Sequence, residues 1–241
     1  MSAIGDEYHE FTKLRRGEPP KHRWRYWAPP ELYKVYRDAP IVKLPEPERR
    51  GGMPLWEAIA RRRSRREYTG GEITGEELSQ LLWATQGITG EIEGYYLRAA
   101  PSAGALYPIE TYLVVNAVDG LERGVYHYAV LKHALELLRR GDFSERIASA
   151  ALEQEFLARA GVVFVWSAVA ERTKWKYGER GWRYIYKDAA HICANLYLAA
   201  TALDLGCCAV GACFDDEVNE IIGVDGREET VVYLAGVGRI H

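Results

Sequence analysis

Five arginines surround one serine where the sequence reads RRRSRR, from Arg61 to Arg66. Each guanidinium presents a planar fork of donors that matches a phosphate, and the hydroxyl of Ser64 adds another donor. The segment therefore predicts a binding site for a dianionic group. The residue types alone also permit a solvated basic face, an anchor for acidic side chains elsewhere in the chain, or a patch for nucleic acid.

A second candidate is the run of small residues between two prolines, PSAGALYP, from Pro101 to Pro108. Small side chains let the backbone approach a ligand closely, and the prolines stiffen the two ends. A flat aromatic cofactor could lie against such a segment. On composition alone, the preferred interpretation is a tight loop in front of a strand that begins at Ile109.

The third candidate, from Glu171 to Lys187, interleaves six cationic with five aromatic residues. This composition is typical of a surface that stacks single-stranded nucleic acid, and equally of a mobile lid that bends at its glycines. Lys176 and Tyr177 are adjacent groups that could transfer protons if local charge lowers the pKa of the lysine. A plain surface loop followed by the start of a helix is the remaining alternative.

Weaker signals come from two glycine-containing segments, Ala209 to Ala212 and Gly236 to Arg239, which are predicted as loops at the ends of elements. Either could line a cofactor. Asp188, His191 and Asn195 are spaced at i, i+3 and i+7 on a predicted helix, which would permit a His–Asp dyad. A histidine on an apolar helix is more often a hydrogen-bonded core residue than a catalytic one, and that interpretation is preferred for His191.

Apolar periodicity and capping signals predict the elements that must position these groups. Pro54 suits the first turn of a helix, and Thr74 with Glu77 has the pattern of a capping box at the start of a second helix. Further helices are predicted over 145–160 and 185–205. The second of these is apolar nearly all round and is expected to end at Gly206. Strands are predicted over 109–116, 124–130, 161–169 and 230–238, with an amphipathic segment near 135–138.

The fold class follows from the order of these elements. The continuous apolar run over 161–169 predicts a central strand that is covered on both faces. Because helices and strands are mixed without strict alternation, the chain is predicted to be α+β, with a sheet sandwiched by helices.

The N-terminal region has a composition of its own. Seven of the ten prolines lie in the first 47 residues. Proline disfavours regular elements, and the aromatic side chains of this stretch need a surface to pack on. Residues 1–50 are therefore predicted to form an extended arm that packs on the body or on a partner chain, and residues 51–241 to form a single domain. The aromatic residues concerned are Trp24, Tyr26, Trp27, Tyr33 and Tyr36.

Composition limits the function classes. With 48% hydrophobic residues and a net charge of −3, the chain is an ordinary globular protein rather than a polycation built for nucleic acid. It has no apolar signal-peptide region, and its longest apolar stretch is too short to cross a bilayer, so a cytoplasmic protein without a membrane partner is expected. The four cysteines form no CxxC pair and are expected to be buried apolar residues, so no metal site is predicted. The P-loop, dinucleotide, zinc-hydrolase and serine-hydrolase motifs are absent.

Taken together, RRRSRREY, PSAGALYPIE, KYGERGWRY and the C-terminal YLAGVGR resemble, in order and spacing, the nitroreductase superfamily of flavin enzymes. Within it, the chain looks most like the SagB-type branch, which includes the azoline dehydrogenases of thiazole/oxazole-modified peptide biosynthesis. The segments from Tyr8 to Lys13 and from Gly124 to Tyr128 also match that branch. The resemblance extends from Tyr8 to Arg239, and it implies an α+β fold with a mixed sheet, a homodimer and one FMN at each subunit interface.

The resemblance also implies roles for individual residues. The arginine segment would hold the FMN phosphate and ribityl chain, and the proline–serine loop would reach the flavin, commonly that of the partner subunit. Lys176 and Tyr177 match the Lys–Tyr pair to which a catalytic role is assigned in azoline dehydrogenases. The residues expected to contact FMN are Arg62, Arg63, Ser64, Arg66, Pro101, Ser102, Ala103, Gly104, Leu106, Gln154, Val210, Gly211, Ala212 and Arg239.

The leading hypothesis is an FMN-dependent oxidoreductase that works by ping-pong hydride transfer, with NADH or NADPH as a candidate electron donor. Its substrate would be a peptide azoline, which is oxidised, or a small electrophile such as a nitro compound or a quinone, which is reduced. Two alternatives remain open: a non-enzymatic flavin-binding partner subunit, and a nucleic-acid-binding module that uses the basic and aromatic segments.

Overall fold

The structure is a computed structural model of one chain that describes residues 3–17 and 30–241. The predictions for Trp24, Tyr26 and Trp27 lie outside these residues. The helices are α1 (Ile4–Phe11), α2 (Leu55–Arg61), α3 (Gly75–Gln86), α4 (Ser144–Ala150), α5 (Glu171–Tyr177), α6 (Gly181–Ala202) and α7 (Asp215–Ile222). The strands are β1 (Ile41–Lys43), β2 (Ile88–Ile92), β3 (Tyr95–Arg98), β4 (Ile109–Val115), β5 (Gly124–Ala129), β6 (Ala134–Arg140), β7 (Val162–Val169), β8 (Leu205–Val210) and β9 (Glu229–Arg239).

Within the described residues, seven strands form one sheet in the order β1–β6–β5–β4–β7–β9–β8, and β2 and β3 form a separate hairpin. Neighbouring strands of the sheet pair antiparallel. Parallel pairing occurs in two isolated bridges, Ser64 with Cys207 and Ile73 with Val118. Strand β7 lies inside the sheet and is buried along nearly its whole length, which confirms the prediction of a central strand.

Helices cover both faces of this sheet, as the α+β prediction requires. On one face, α3 and α6 contribute leucines and isoleucines to a core that contains Trp166. On the other face, α4 and α7 pack Ile147, Val218 and Ile221 against Tyr112. The α3 helix begins with the predicted capping box, in which the Thr74 hydroxyl accepts a hydrogen bond from the backbone N–H of Glu77 at 3.2 Å. None of the helices within 3–17 and 30–241 has the length and apolar character needed to span a bilayer.

The described parts of residues 1–50 contain two short regular elements in spite of their prolines. Strand β1 pairs with β6 and extends the sheet at its edge. Helix α1 lies on the body of the same chain, where Arg183 donates hydrogen bonds to the carbonyl oxygen of His9 at 2.5 Å and to the hydroxyl of Thr12 at 2.8 Å. These contacts place a cation at the C-terminal end of α1, which is the favourable end for a positive charge.

Several predicted boundaries are wrong for a common reason, which is that non-glycine residues adopt the left-handed conformation. The helix predicted over 145–160 ends at Ala150 because Leu152 and Glu153 have φ of +59° and +57°. The helix predicted to reach Leu205 ends at Ala202, because Asp204 (φ +53°) turns the chain.

The misplaced helix end changes the elements that follow it. Gly206 is therefore not a helix cap but a residue of β8, paired with Gly238 of β9. The strand predicted over 230–238 is β9, and it continues to Arg239, so the loop predicted for Gly236 to Arg239 does not form. Ala209 and Val210, also predicted in a loop, end β8. The amphipathic segment near 135–138 belongs to strand β6.

Three of the four cysteines are buried, as predicted. Cys193, Cys207 and Cys208 are buried, and Cys213 is half-buried. Burial raises the pKa of the Cys193 thiol to about 12, so this thiol stays protonated at neutral pH.

A buried network of charged side chains joins the sheet to α5. Glu110 of β4 accepts hydrogen bonds from Arg172 of α5 at 2.5 Å and from His127 of β5, whose Nε2 is 3.1 Å away. The other ring nitrogen of His127 lies 2.9 Å from a carboxylate oxygen of Glu136 on β6. Burial acts to lower the pKa of His127, but the hydrogen bonds to the two carboxylates outweigh it and raise that pKa above its usual value.

The network predicts a specific loss of stability in acid. Burial acts to raise the pKa of Glu110, but the hydrogen bond from His127 and the charge of Arg172 outweigh it and lower that pKa from 4.5 to about 2. The stabilisation is therefore complete above pH 4.5 and is lost as the pH falls toward 2. We expect urea unfolding to show a loss on the order of 3 kcal/mol over this interval.

Two variants isolate the contribution of Glu110. The Glu110→Gln variant should be less stable than the wild type at pH 7 and should depend less on pH below 4.5, where Glu110 changes its charge. The Glu91→Gln variant, in the exposed part of the β2–β3 hairpin, should keep the wild-type pH dependence. An unchanged acid slope in Glu110→Gln would show that Glu110 does not carry the effect.

Candidate functional site

The proline–serine loop adopts a strained conformation. Gly104 and Ala105, within the 3₁₀ turn over Ala103–Ala105, have φ of +68° and +54°, and Tyr107, which follows the turn before β4, has φ of +43°. Left-handed backbone is unfavourable for residues other than glycine, and it persists only where the surroundings hold it. Here the hydroxyl of Ser102 accepts a hydrogen bond from the backbone N–H of Tyr107 at 2.9 Å. The same hydroxyl donates to the carboxylate of Asp188 on α6 at 2.6 Å.

Lys176 and Tyr177 lie against this loop at Gly104. A Cβ atom on Gly104 would be 3.0 Å from Nζ of Lys176 and 2.7 Å from the hydroxyl of Tyr177. The ring of Tyr177 packs edge-on against Tyr184 with 4.8 Å between ring centroids. The structure therefore brings together the predicted catalytic pair and the predicted flavin-contacting loop, at a place where a Cβ atom would displace both side chains from the positions they occupy.

Helix α5 is fixed in place by Arg172, one turn before Lys176. Besides its ion pair with Glu110, Arg172 donates a hydrogen bond from Nε to the carbonyl oxygen of Glu31 at 2.7 Å. The side chains of Arg172 and Glu110 are each 3% exposed. The N-terminal arm, the sheet and the helix that carries the predicted catalytic pair are thus connected through one buried guanidinium.

The arginine segment follows α2 and runs along the edge strand β8. The backbone N–H of Arg65 donates to the carbonyl oxygen of Cys207 at 3.0 Å. Tyr197 of α6 connects the segment to the end of β8, because its hydroxyl lies 3.1 Å from Oγ of Ser64 and accepts from the backbone N–H of Ala209 at 2.8 Å. The guanidinium of Arg62 lies over the Tyr197 ring, 5.3 Å from its centroid.

Four arginines of this segment have no carboxylate partner among the described residues. Arg61 is paired with Glu57 at 3.2 Å and with Asp204 at 2.6 Å. In the part of the chain that the structure describes, no such pair forms at Arg62, Arg63, Arg65 or Arg66, and Nη1 of Arg63 instead donates to backbone carbonyl oxygens. A cluster of cations beside a serine hydroxyl and without carboxylates fits a phosphate-bearing group.

The remaining predicted contact residues lie in several segments of the chain. Gln154 donates locally to the carbonyl oxygen of Ala151 at 2.9 Å, and it precedes Phe156, over whose ring Arg66 lies. Val210 is buried, and Gly211 lies near the ring of Tyr233. Exposed positions are Pro101 and Ala212, whereas Leu106 is buried.

Arg239 stands apart from the other predicted phosphate ligands. Its guanidinium makes two hydrogen bonds to the carboxylate of Glu77, at 2.9 and 2.6 Å, and a third to the carbonyl oxygen of Glu72. Because Glu77 also caps α3, this ion pair fixes the end of β9 to the start of that helix. A phosphate role for Arg239 would require the pair with Glu77 to open.

The site therefore consists of two groups at different positions along α6. Asp188 contacts the proline–serine loop and Tyr197 contacts the arginine segment, and nine residues of helix separate them by about 14 Å. Asp188 does not form the dyad with His191 that its spacing permitted, because its hydrogen-bond partners are Ser102 and Ala103. His191 is exposed, so the prediction of a core histidine is wrong.

Sequence reasoning missed three residues that hold these groups together: Glu110, Arg172 and Tyr197. The available signal was a polar side chain on an element otherwise apolar, as for Glu110 in IETYLVV and Tyr197 in NLYLAA. A cavity of about 650 Å³ between α2, α3 and α6 is lined by Leu55, Trp83 and others, but by none of the predicted site residues. We therefore locate the site by its side-chain chemistry and not by cavity size.

Comparison with known proteins agrees with the fold and with these motifs. The Nitroreductase family model matches residues 59–239. A nitroreductase-family protein of Methanocaldococcus jannaschii is 39% identical over 202 residues, which cover 84% of this chain and 98% of that protein. The microcin B17-processing protein McbC of Escherichia coli is 28% identical over 153 residues, which cover 61% of this chain and 56% of that protein. The chain belongs to the Nitroreductase family, as the motifs predicted.

Solved structures give the same result for the fold. A nitroreductase-family protein of Anabaena variabilis superposes with a TM-score of 0.80 at 30% identity, over 98% of this chain and 47% of that one. This chain thus spans about half the length of the Anabaena protein. A nitroreductase-family protein of Desulfovibrio desulfuricans, solved in complex with FMN, shares the fold at 18% identity with a TM-score of 0.54, over 78% of this chain and 87% of that one. The α+β fold expected from the sequence is confirmed.

The contact at Gly104 predicts that a Gly104→Ala substitution displaces the side chains of Lys176 and Tyr177. The variant should lose little more stability than an alanine substitution at another glycine with positive φ. The Gly104→Ala variant pays for left-handed backbone at φ +68°, and its Cβ meets the mobile ends of Lys176 and Tyr177, which can move aside. Gly94→Ala is the matched control, because Gly94 has φ +82° and nothing within 4 Å of a Cβ. Both variants should lose about 1 kcal/mol of unfolding free energy.

Crystal structures of the two variants separate the two effects. Nζ of Lys176 and the hydroxyl of Tyr177 should shift in Gly104→Ala and remain in place in Gly94→Ala. Unmoved side chains in Gly104→Ala would contradict the close contact described above.

Proposed function

We propose that the protein is an FMN-dependent oxidoreductase of the SagB type. The observation that carries the proposal is the set of arginines beside Ser64 that have no carboxylate partner within the described residues. A phosphate would balance these charges, as Glu57 and Asp204 balance Arg61. The D. desulfuricans protein, solved in complex with FMN, supports the choice of this phosphate-bearing cofactor.

Different residues of the chain would contact different parts of the bound FMN. Arg62, Arg63, Ser64 and Arg66 would hold the phosphate and ribityl chain. The small residues of the proline–serine loop would let backbone approach the flavin ring, which supplies hydride transfer when bound. Gln154, Val210, Gly211 and Ala212 are proposed contacts of the ring and its edge. Arg239 is proposed as a further contact of the phosphate, which requires its ion pair with Glu77 to open.

Lys176 and Tyr177 are proposed as the proton-transfer groups. The ammonium at Nζ and the phenol hydroxyl lie side by side at Gly104, so that one could hold a proton at the substrate while the other orients it. Their position against the loop, rather than on a free surface, favours this role over a plain basic face. Arg180 donates from Nε to the hydroxyl of Tyr184 at 2.7 Å, which keeps the aromatic wall beside Tyr177 in place.

The proposed substrate is a peptide azoline, which is oxidised, with reduction of a small electrophile such as a nitro compound or a quinone as the second substrate class. The similarity to McbC, a microcin-processing protein, supports the peptide substrate. NADH or NADPH is the proposed donor for the reductive reaction, in keeping with fold relatives named as NADH oxidase and NAD(P)H nitroreductase. The cytoplasmic location remains an expectation from the sequence.

A homodimer is part of the proposal. Within one chain, the proline–serine loop and the arginine segment contact different ends of α6, about 14 Å apart along its axis. A second copy would bring the loop of one subunit to the flavin held by the other, as the family resemblance implies.

Removing one arginine that has no carboxylate partner among the described residues should weaken FMN binding. Charge-assisted hydrogen bonds contribute about 1.5–3 kcal/mol, so Arg62→Ala should raise the Kd for FMN by roughly 10- to 100-fold in calorimetric titration. Arg61→Ala is the matched control, since Arg61 is already paired with Glu57 and Asp204. Equal affinities in the two variants would place the phosphate elsewhere.

Removing the proton-transfer groups should affect turnover rather than binding. We expect Lys176→Ala and Tyr177→Phe to keep FMN and to lower kcat by roughly 10²- to 10⁴-fold. The assays are oxidation of a thiazoline-containing peptide with oxygen as acceptor, and reduction of nitro compounds and quinones with NADH or NADPH. Lys174→Ala and Tyr186→Phe, in the same part of the chain, should retain turnover. A wild-type protein that binds FMN but turns over none of these pairs would instead be a flavin-binding partner subunit.

A further inference from the structure

We infer that Asp188 is the positioning residue of the site, because its carboxylate holds the proline–serine loop in the shape that places Gly104 against Lys176 and Tyr177. The inference rests on the proposed function, in which this loop contacts the flavin. It assigns Asp188 a role that acts entirely through the loop.

The carboxylate of Asp188 is directed at the start of the loop. Oδ2 accepts from the hydroxyl of Ser102 at 2.6 Å, and Oδ1 accepts from the backbone N–H of Ala103 at 3.3 Å. The hydroxyl of Ser102 in turn accepts from the backbone N–H of Tyr107. One carboxylate thus closes the loop at both of its ends, through a chain of hydrogen bonds that spans Ser102 to Tyr107.

Because Asp188 is buried, its carboxylate depends on these hydrogen bonds in place of water. The residue is 4% exposed and forms no ion pair with a cationic side chain within the described residues. A buried carboxylate is costly unless donors replace its water, and the two donors shown for it both come from the loop. The same hydrogen bonds therefore order the loop and replace the water around the Asp188 carboxylate. A change that breaks them affects both the loop and the carboxylate.

The strained backbone of the loop indicates that the contact between Asp188 and the loop serves the function of the site. Ala105 and Tyr107 are held at positive φ immediately beside Gly104, which is where the side chains of Lys176 and Tyr177 arrive. Strained backbone at non-glycine residues is concentrated at functional sites, and it persists where the neighbouring structure holds it in place. Asp188 supplies that restraint, and the hydroxyl of Ser102 is occupied by it rather than free to donate to a ligand.

Amide hydrogen exchange on the purified protein without added FMN tests the restraint directly. In Asp188→Asn, one of the two acceptor oxygens becomes a donor, so exchange at the amides of Ala103 and Tyr107 should rise at least tenfold. Ser102→Ala should give the same rise, and the double variant should add little to either, because both changes break one connected set of hydrogen bonds. Ser102→Thr keeps a hydroxyl on extended backbone (φ −131°, ψ 143°) and should restore protection. Asp119→Asn, which removes an exposed carboxylate in the connection between β4 and β5, should leave the loop unchanged.

A flavin readout then separates positioning from simple folding support. With FMN bound, Asp188→Asn should shift the visible absorption band of the flavin and raise the Kd for FMN, and Asp119→Asn should change neither. Wild-type exchange rates in Asp188→Asn would overturn the inference, as would faster exchange with an unchanged flavin band and Kd. If Asp188→Asn does not fold, Ser102→Ala gives the same decision. A wild-type protein that takes up no FMN contradicts the proposed function, and the flavin-free exchange data still decide whether Asp188 holds the loop.

Discussion

A fully buried ion pair between Glu110 and Arg172 fixes the helix of the candidate catalytic pair on the sheet. Breaking a buried pair by removing one partner leaves an uncompensated charge and costs about 3–5 kcal/mol, so helix α5 is held far more firmly than an exposed helix of 7 residues would be. The same guanidinium reaches the N-terminal arm at Glu31, and Glu110 is joined through His127 to Glu136 on β6. The position of Lys176 and Tyr177 therefore depends on strands far from them in sequence.

Helix α6 organises the remainder of the site. In its first half, Asp188 accepts a hydrogen bond from the proline–serine loop. In its second half, Tyr197 lies between Ser64 and the end of β8 and is hydrogen-bonded to both. Each contact satisfies a polar group of the helix and at the same time orders a loop that the proposed function uses. Arg62, Arg63, Arg65 and Arg66 of the arginine segment have no carboxylate partner in the described part of the chain. Their charges are therefore available to an anionic ligand.

Local signals in the sequence predicted local structure well. The Thr74–Glu77 capping box, the strand from Ile109 and the apolar run after Gly161 were all recognisable, because each depends on neighbours within a few residues. The end of α6 was not, because the apolar pattern continues unbroken into β8 and the turn is made by Asp204, whose left-handed conformation leaves no mark in composition. Motifs likewise predicted that the loop and Lys176–Tyr177 belong to one site, and the structure brings them into contact at Gly104. The hydrogen bond between Ser102 and Asp188 was not predicted, because it joins residues 86 positions apart and local sequence patterns do not report such contacts.

The visible absorption spectrum of the purified protein, followed by heat release and identification of any chromophore, tests the flavin site most directly. An FMN site predicts a yellow protein, or one that becomes yellow with added FMN, which releases one FMN per chain. A colourless protein that also fails to take up FMN would contradict it, and the arginines beside Ser64 would then require a different anionic ligand.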